Sequence, residues 1–292
     1  MKDLISIIIP TYKRSEMLER AINSCLNQSY ENIEIIVVDD NNPDTEYRKN
    51  TSSFMKKYQG NKKIRYIKMK SNGGGALARN KGIEISKGQY IAFLDDDDYF
   101  LDDKLKKQLE FMKKNNLDAS FTGCETYDET KGNLIKVKHY NNFKDYNDVF
   151  KFHLVEMIVG TQTFMYKKEV LEKIGGFSKV PAGQEFYLMY KTLMAGYKVG
   201  YLDEILTRLC IHSGERITTG KNKIDAEKFL YNVKKQHFNI LNYSQKQKIK
   251  YIYKYNIWQK YKFSNSIKQY LWLLYILISH PIIIFKKVLK NG

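Results

Sequence analysis

Four short apolar runs in the first hundred residues, each ending in polar or charged side chains, leave few folds open to this chain. Leu4–Ile9 is strand-like and β-branched, and Ile33–Val38 is a second buried run that stops at Asp39-Asp40. Ile64–Lys68 is a shorter third, and Tyr90–Leu94 runs straight into Asp95-Asp96-Asp97-Asp98. Helix patterns lie between and after them. Ser15 is placed to cap one, with Glu16 and Glu19 in its first turn and Leu18, Ile22, Cys25 and Leu26 along one face. The loop Asn72-Gly73-Gly74-Gly75 precedes a helix expected from Ala76 to about Ser86, and a later helix turns Leu105, Leu109 and Met112 inward. Strands alternating with helices predict βαβ units around a mainly parallel sheet, an α/β fold.

From about 117 to 215 the pattern is mixed. Strands are expected near Ala119–Thr126, Leu134–His139 and Thr161–Tyr166, and a helix from Gln184 to Ala195. After about residue 222 the chain reads as helical, with Lys and Tyr interleaved, and it ends in the apolar stretch Tyr270–Phe285. There is no internal repeat and no low-complexity linker. The division expected is 1–220 as one α/β domain and 221–292 as a basic, Tyr-rich helical extension.

Charge supports that division. The net charge is +17, yet residues 221–292 hold 15 Lys against Asp225 and Glu227, so +13 of it lies in the last quarter. The first 220 residues carry 34 basic and 30 acidic groups. A uniformly basic coat for nucleic acid is therefore disfavoured. Cys25, Cys124 and Cys210 are odd in number and far apart, without CxxC spacing. That argues against a disulfide framework or a zinc site and for a reducing compartment. Ile5–Ile9 is too short for the apolar core of a signal peptide, which points to the cytoplasm.

In an open parallel sheet, ligands bind beyond the carboxyl ends of the strands. Three such ends are polar here: Pro10-Thr11-Tyr12-Lys13-Arg14, Asp39-Asp40 and Asp95–Asp98. No GxGxxG follows the first strand, which argues against a dinucleotide cofactor there, and Gly73–Gly75 alone is weak evidence of a phosphate loop. Four consecutive aspartates after a buried strand are the sharpest signal. Like charges packed together are costly unless a cation neutralises them, and carboxylate oxygens are the ligands that Mg²⁺ or Mn²⁺ prefers. On extended chain, Asp95 and Asp97 would point to one side and share one metal-nucleotide complex. A solvated turn at a helix N-terminus is the alternative use of these residues.

The blocks ISIIIPTYKR, QSYENIEIIVVDD and ARNKGIEISKGQYIAFLDDDDYF, in that order, resemble the inverting family 2 glycosyltransferases of GT-A fold. KKEVLEKIGGF (Lys167–Phe177) and AGQEFYLMYKTL (Ala182–Leu193) extend the resemblance over about 3–215, and 221–292 matches no motif. The resemblance implies a GT-A type mixed, mainly parallel sheet with flanking helices, and a nucleotide-sugar donor, most often a UDP-sugar, held with Mn²⁺ or Mg²⁺. Pro10, Tyr12 and Arg14 match the first nucleotide-binding loop. Asp40 matches the aspartate that accepts the base's ring N–H, with Asp39 supporting the loop. Asp95–Asp97 matches the DXD-type motif, with Asp97 as chief metal ligand and Asp95 and Asp96 near the ribose or the metal. Arg79 matches a position near the nucleotide, where its guanidinium either braces acidic loops or meets phosphate.

Inverting transfer needs one carboxylate to take the acceptor hydroxyl's proton and a cation to hold the departing diphosphate. By resemblance Glu185 occupies the catalytic position, although this block carries a single Glu followed by Phe186 where Glu-Asp or Asp is commoner. A helix-terminal Glu favoured by the dipole is the other reading. His212 and Arg216, in IHSGERI, match positions that complete the metal shell or close over the diphosphate; a structural role for His212 stays open. His139, His153, His237 and His280 have no identifiable partner in the sequence.

Spanning a bilayer takes about 20 apolar residues, and Tyr270–Phe285 has 16, interrupted by Ser279, His280 and Pro281. The lysines and aromatics of 246–290 suit peripheral contact with the inner face of the cell membrane, and equally a helical hairpin on the catalytic domain or a homodimer interface. The function expected is transfer from a nucleotide-sugar to an acceptor hydroxyl, a lipid-linked saccharide in cell-surface polysaccharide biosynthesis. The competing classes are a sugar-nucleotide nucleotidyltransferase, whose Gly-rich first loop is missing, and a non-enzymatic nucleic-acid binder.

Overall fold

The computed structural model describes residues 2–140, 143–158, 160–212, 223–263 and 266–280. The chain divides into two compact units. One comprises Met1–Tyr146, Val159–Lys179 and Tyr187–Glu215, and the other Asn147–Ile158, Val180–Phe186 and Arg216–Gly292.

In the first unit, β1 (Ile5–Thr11), β2 (Ile33–Asp39), β3 (Ile64–Lys68) and β4 (Tyr90–Phe93) are parallel neighbours in the order β3-β2-β1-β4. Five further strands follow: β5 (Tyr99–Phe100), β6 (Ala119–Asp128), β7 (Asn133–Lys138), β8 (Met165–Lys167) and β9 (Val199–Ile211). The sheet continues β4-β8-β6-β9-β5, with β7 on β6. It turns antiparallel at β8, parallel again between β6 and β9, and antiparallel at β5. The expected mixed, mainly parallel sheet is therefore present, with the chemistry-bearing strands in its parallel half.

The apolar runs are continuous because both faces of that half are covered. Ile5, Ile7 and Ile9 lie in one cluster with Ile33, Ile35 and Val37 of β2. The same cluster takes in Leu18, Ile22 and Cys25 of α1 (Leu18–Leu26). Ile8, Ile36 and Val38, on the opposite face, are equally buried. Each such side chain contributes roughly 1.5–3 kcal/mol on burial. Next come α2 (Glu46–Met55), α3 (Gly75–Ile85) and α4 (Lys104–Lys114), the last adding Leu105, Leu109 and Met112 to the cluster. Later helices are α5 (Tyr146–Glu156), α6 (Lys168–Lys173) and α7 (Gln184–Met194).

Three local expectations need correction. Ser15 caps nothing: residues 15–17 form a turn, and α1 starts at Leu18 behind Met17 with no side-chain cap. Thr161–Tyr166 is not one strand but a 3₁₀ turn, Thr161–Thr163, followed by β8. The four aspartates do not continue as extended chain, because the Asp98 N–H donates to the Asp95 carbonyl at 3.2 Å and closes a turn.

The second unit holds most of α5, the first residues of α7, and α8 (Lys223–Lys235), α9 (Tyr243–Phe263) and α10 (Lys268–Ser279). Tyr231 of α8 stacks on Tyr253 of α9 at 4.3 Å, and Asn256 donates to Glu227 at 3.0 Å. Against α9, α10 buries Ile276 and leaves Tyr270, Leu271, Leu274 and Ile278 exposed. Among the described residues no helix is long and apolar enough to cross a membrane. Residues 281–285 of the apolar stretch, and the lysines after them, lie outside the described residues.

Candidate active site

The polar ends of β1, β2 and β4 converge because those strands are neighbours. Thr11, the last residue of β1, ties two acidic groups together. Its carbonyl accepts from the Asp40 N–H at 2.9 Å, and its hydroxyl donates to Asp96 Oδ2 at 2.8 Å. Pro10 pairs with Val38 in the sheet, and the Tyr12 N–H points at the same Asp96 oxygen from 3.4 Å. Lys13 holds a left-handed backbone (φ 65°) and donates its N–H to Asn41 Oδ1 at 2.9 Å. A lysine in that region is strained, and the Asn41 side chain holds the loop there.

Each aspartate after β4 meets its own cation or donor. Arg14 pairs with Asp96 Oδ1 at 2.8 Å and also reaches Asp97. Arg79 pairs with Asp95 at 2.5 Å, and its guanidinium sits 5.4 Å from the Phe177 ring centre. His212 Nε2 lies 3.2 Å from Asp97 Oδ2. Arg20, which the sequence did not single out, donates to the Asp97 carbonyl at 2.5 Å. Burial pushes the Asp96 carboxyl up to about 7; Arg14 pulls it down, while Asp97 and Asp95 add to the rise.

Asp98 is a different kind of residue from its neighbours. It is buried, and each oxygen has a donor: the Cys210 N–H at 2.8 Å and Gln162 Nε2 at 2.7 Å. Burial, then Asp95 and Asp97, raise its pKa well above the usual carboxylate range. The carboxylate oxygens of Asp95, Asp97 and Asp98 nevertheless gather within 4.8 Å of one another. Hard oxygen donors so close together fit Mg²⁺ or Mn²⁺. With both Asp98 oxygens engaged, Asp95 and Asp97 are the better placed to hold such an ion. The turn, rather than strand alternation, brings them together.

Asp40 and the glycine run are resolved jointly. Asp40 accepts from the Gly73 and Gly74 N–H groups at 2.8 and 2.7 Å and from Asn72 Nδ2 at 3.0 Å. Gly74 has φ 83°, a conformation that glycine adopts without penalty. These amides therefore face a carboxylate rather than open space. Burial pushes the Asp40 carboxyl up, against the pull of the two amides. Asp39 is the structural member of the pair: it pairs with Arg48 at 3.2 Å, accepts from the Asn41 N–H at 2.9 Å and takes the Tyr66 hydroxyl.

Pro10, Tyr12, Arg14, Asp40, Arg79, Asp95, Asp96, Asp97 and His212 thus all lie in the first unit. Glu185 lies in the second, half-buried in the first turn of α7. Arg216 is outside the described residues. Thr11 and Asp98 stand in the polar strand ends read from the sequence but carry no separate role there, and Arg20, Asn41, Arg48 and Gln162 carry no sequence signal.

A mixed, mainly parallel sheet with an acidic turn at its strand ends and helices on its flanks is of the GT-A class. The chain belongs to glycosyl transferase family 2, whose family profile matches residues 6–175, more than half of its length. It is 36% identical over 169 residues to the putative teichuronic acid biosynthesis glycosyltransferase TuaG of Bacillus subtilis, covering 58% of this chain and 64% of that one. It is 41% identical over 143 residues to an uncharacterized glycosyltransferase of Haemophilus influenzae, covering 49% and 55%. The chain thus spans less than two thirds of these curated relatives.

Among solved structures, Staphylococcus aureus TarS 1–349 in complex with UDP-GlcNAc superposes with a TM-score of 0.65 at 18% identity, over 95% of this chain and 80% of that one. The mannosyltransferase PcManGT of Pyrobaculum calidifontis, in complex with GDP-Man and Mn²⁺, gives 0.57 at 16% identity, over 81% and 65%. At such identities the likeness carries the fold.

Proposed function

We propose that the chain is a metal-dependent inverting glycosyltransferase that moves a sugar from a nucleotide-sugar to an acceptor hydroxyl. One observation carries this reading: the carboxylates of Asp95, Asp97 and Asp98 are gathered just beyond β4, beside Asp96, which takes the hydroxyl of Thr11, the residue whose carbonyl accepts from the Asp40 N–H. Pro10, Tyr12 and Asp40 would take the nucleoside, with Asp95 and Asp96 near the ribose. Arg14, Arg79 and Arg216 would face the diphosphate. Asp95 and Asp97, with His212 beside Asp97, would hold Mn²⁺ or Mg²⁺, and when bound the ion supplies charge neutralisation for the departing diphosphate.

Glu185 is the proposed base. The acceptor oxygen forms its bond to the anomeric carbon on the face opposite the diphosphate. The carbon–oxygen bond to phosphate breaks, its electron pair leaves with the nucleoside diphosphate, and the hydroxyl proton goes to the Glu185 carboxylate. The donor proposed is a UDP-sugar, in keeping with the UDP-GlcNAc bound to TarS. The acceptor proposed is a lipid-linked saccharide, in keeping with the teichuronic acid biosynthesis named for the B. subtilis relative.

Residues 1–220 would form the catalytic domain and 221–292 an extension that meets the membrane surface or a second copy. Tyr270, Leu271 and Ile278 are 67%, 67% and 71% exposed, a face that suits the headgroup region of a bilayer. A thermal-shift screen of UDP-, GDP- and dTDP-sugars with Mn²⁺ tests the reading. A UDP-sugar is expected to raise Tm above the Mn²⁺ control by mass action. No shift with any nucleotide-sugar would overturn it.

A further inference from the structure

The segment that carries Glu185 is gripped by helices on either side of it in sequence. His153, fully buried in α5, lies 3.0 Å from the Phe186 carbonyl through Nε2, and its Nδ1 accepts the Ile158 N–H at 3.2 Å. Since Nδ1 is the acceptor, Nε2 carries the proton and donates to Phe186. The imidazole also stacks on the Phe186 ring, with centroids 4.5 Å apart and planes 16° from parallel. One histidine thus fixes both the backbone and the side chain of the residue next to Glu185.

The third hold comes from α8. Lys234 is 5% exposed, and its ammonium lies 5.3 Å from the centre of the Phe186 ring. A buried ammonium is costly unless it is paired, and Glu227 and Glu156 offset part of that cost here. Two residues before Glu185, Gly183 has φ 68°, and a Cβ there would meet Leu230 of α8 at 3.1 Å. The turn into α7 is therefore shaped to the surface of α8. Phe186 is buried, whereas Glu185 is only half-buried, so the clamp grips the neighbour and leaves the carboxylate accessible.

We propose that His153 and Lys234 are positioning residues for Glu185, clamping the adjacent Phe186 by its carbonyl and ring, so that the C-terminal extension takes part in catalysis through α8. The proposal rests on the reading of Glu185 as the base. A general base works only within hydrogen-bond reach of its proton, and misplacement by about 1 Å can cost on the order of 100-fold in rate.

The test uses the full chain, with the UDP-sugar selected by thermal shift for turnover and UDP with Mn²⁺ for affinity. His153→Ala and Lys234→Met are each expected to lower kcat about tenfold to 100-fold, with UDP affinity and donor KM within about twofold of wild type. His153→Gln, whose amide can still donate to the Phe186 carbonyl, is expected to recover part of the loss. It also serves as the readable variant if His153→Ala does not fold. Unchanged kcat in His153→Gln and Lys234→Met, or UDP affinity falling in step with kcat, overturns the proposal. Glu185→Gln separates the two claims. Full turnover in that variant removes the base itself, whereas its loss beside full turnover in Lys234→Met and His153→Gln removes only the clamp.

Discussion

At the sheet ends arginines meet carboxylates, whereas several lysines of the C-terminal helices meet rings. Arg14, Arg48 and Arg79 pair with Asp96, Asp39 and Asp95. In the second unit Lys254 lies 3.8 Å from the Tyr275 ring centre, Lys262 5.2 Å from Trp258 and Lys268 5.7 Å from Tyr261. A guanidinium on a carboxylate cancels a charge, but an ammonium on a ring keeps it. The first arrangement fixes geometry where the proposed nucleotide and metal would bind. The second orients cations while leaving their charge available to an outside anionic surface. The uneven distribution of the +17 thus has a structural counterpart.

The largest effect expected concerns Glu185, the proposed base, which lies in the second unit. Glu185→Gln should lower transfer by about 10²–10⁴-fold while UDP binding persists, measured by product formation and by calorimetry. Next comes the value of pairing. Arg14→Met leaves buried Asp96 without its cation, so that its carboxyl takes up a proton, and should cost about 1–3 kcal/mol in urea unfolding. Lys262→Met or Lys268→Met should cost less than about 0.5 kcal/mol. Equal costs would erase the distinction between the two regions.

A smaller effect is expected at the surface. Lys262→Gln with Lys268→Gln should weaken binding to phosphatidylglycerol-rich vesicles about 30-fold, at about 1 kcal/mol per lysine, and added salt should weaken wild-type binding too. Binding that ignores both would contradict membrane contact by charge. A pH-dependent effect is expected at Lys104, a ring-stacked lysine buried inside the first unit. It lies 4.3 Å from the Phe100 ring centre and bonds Gln108 at 2.7 Å; burial lowers its pKa to about 7. Above that pH the unfolded chain keeps a proton that the folded chain has lost. This group's contribution to stability should therefore rise from about pH 7 towards 10 and be flat below 7. Lys104→Met should remove that increment, read as Tm at pH 7 and 9.

The parallel half was legible because strand periodicity, burial and polar ends all point one way. Every apolar residue of Leu4–Ile9 and Ile33–Val38 told the same story, and the acidic ends identified the site. What escaped was chemistry made by distant partners. Thr11 looks like any strand-end threonine until β4 brings Asp96 to it. Asp98 separates from Asp97 only when Cys210 and Gln162 arrive from β9 and the 3₁₀ turn. The helix α2 was missed because it buries only Arg48, Thr51 and Met55 and carries no apolar stripe. His153 showed no partner because its partner is a backbone carbonyl, which leaves no mark in a sequence.

The account depends on Asp97 and its neighbours holding a metal for a nucleotide, and a calorimetric titration of UDP with and without Mn²⁺ tests that directly. Wild type should bind UDP at least about tenfold more tightly with Mn²⁺, a gain of about 1.4 kcal/mol, and Asp97→Ala should lose that gain. Equal affinity with and without Mn²⁺ in wild type, or an undiminished gain in Asp97→Ala, would contradict it.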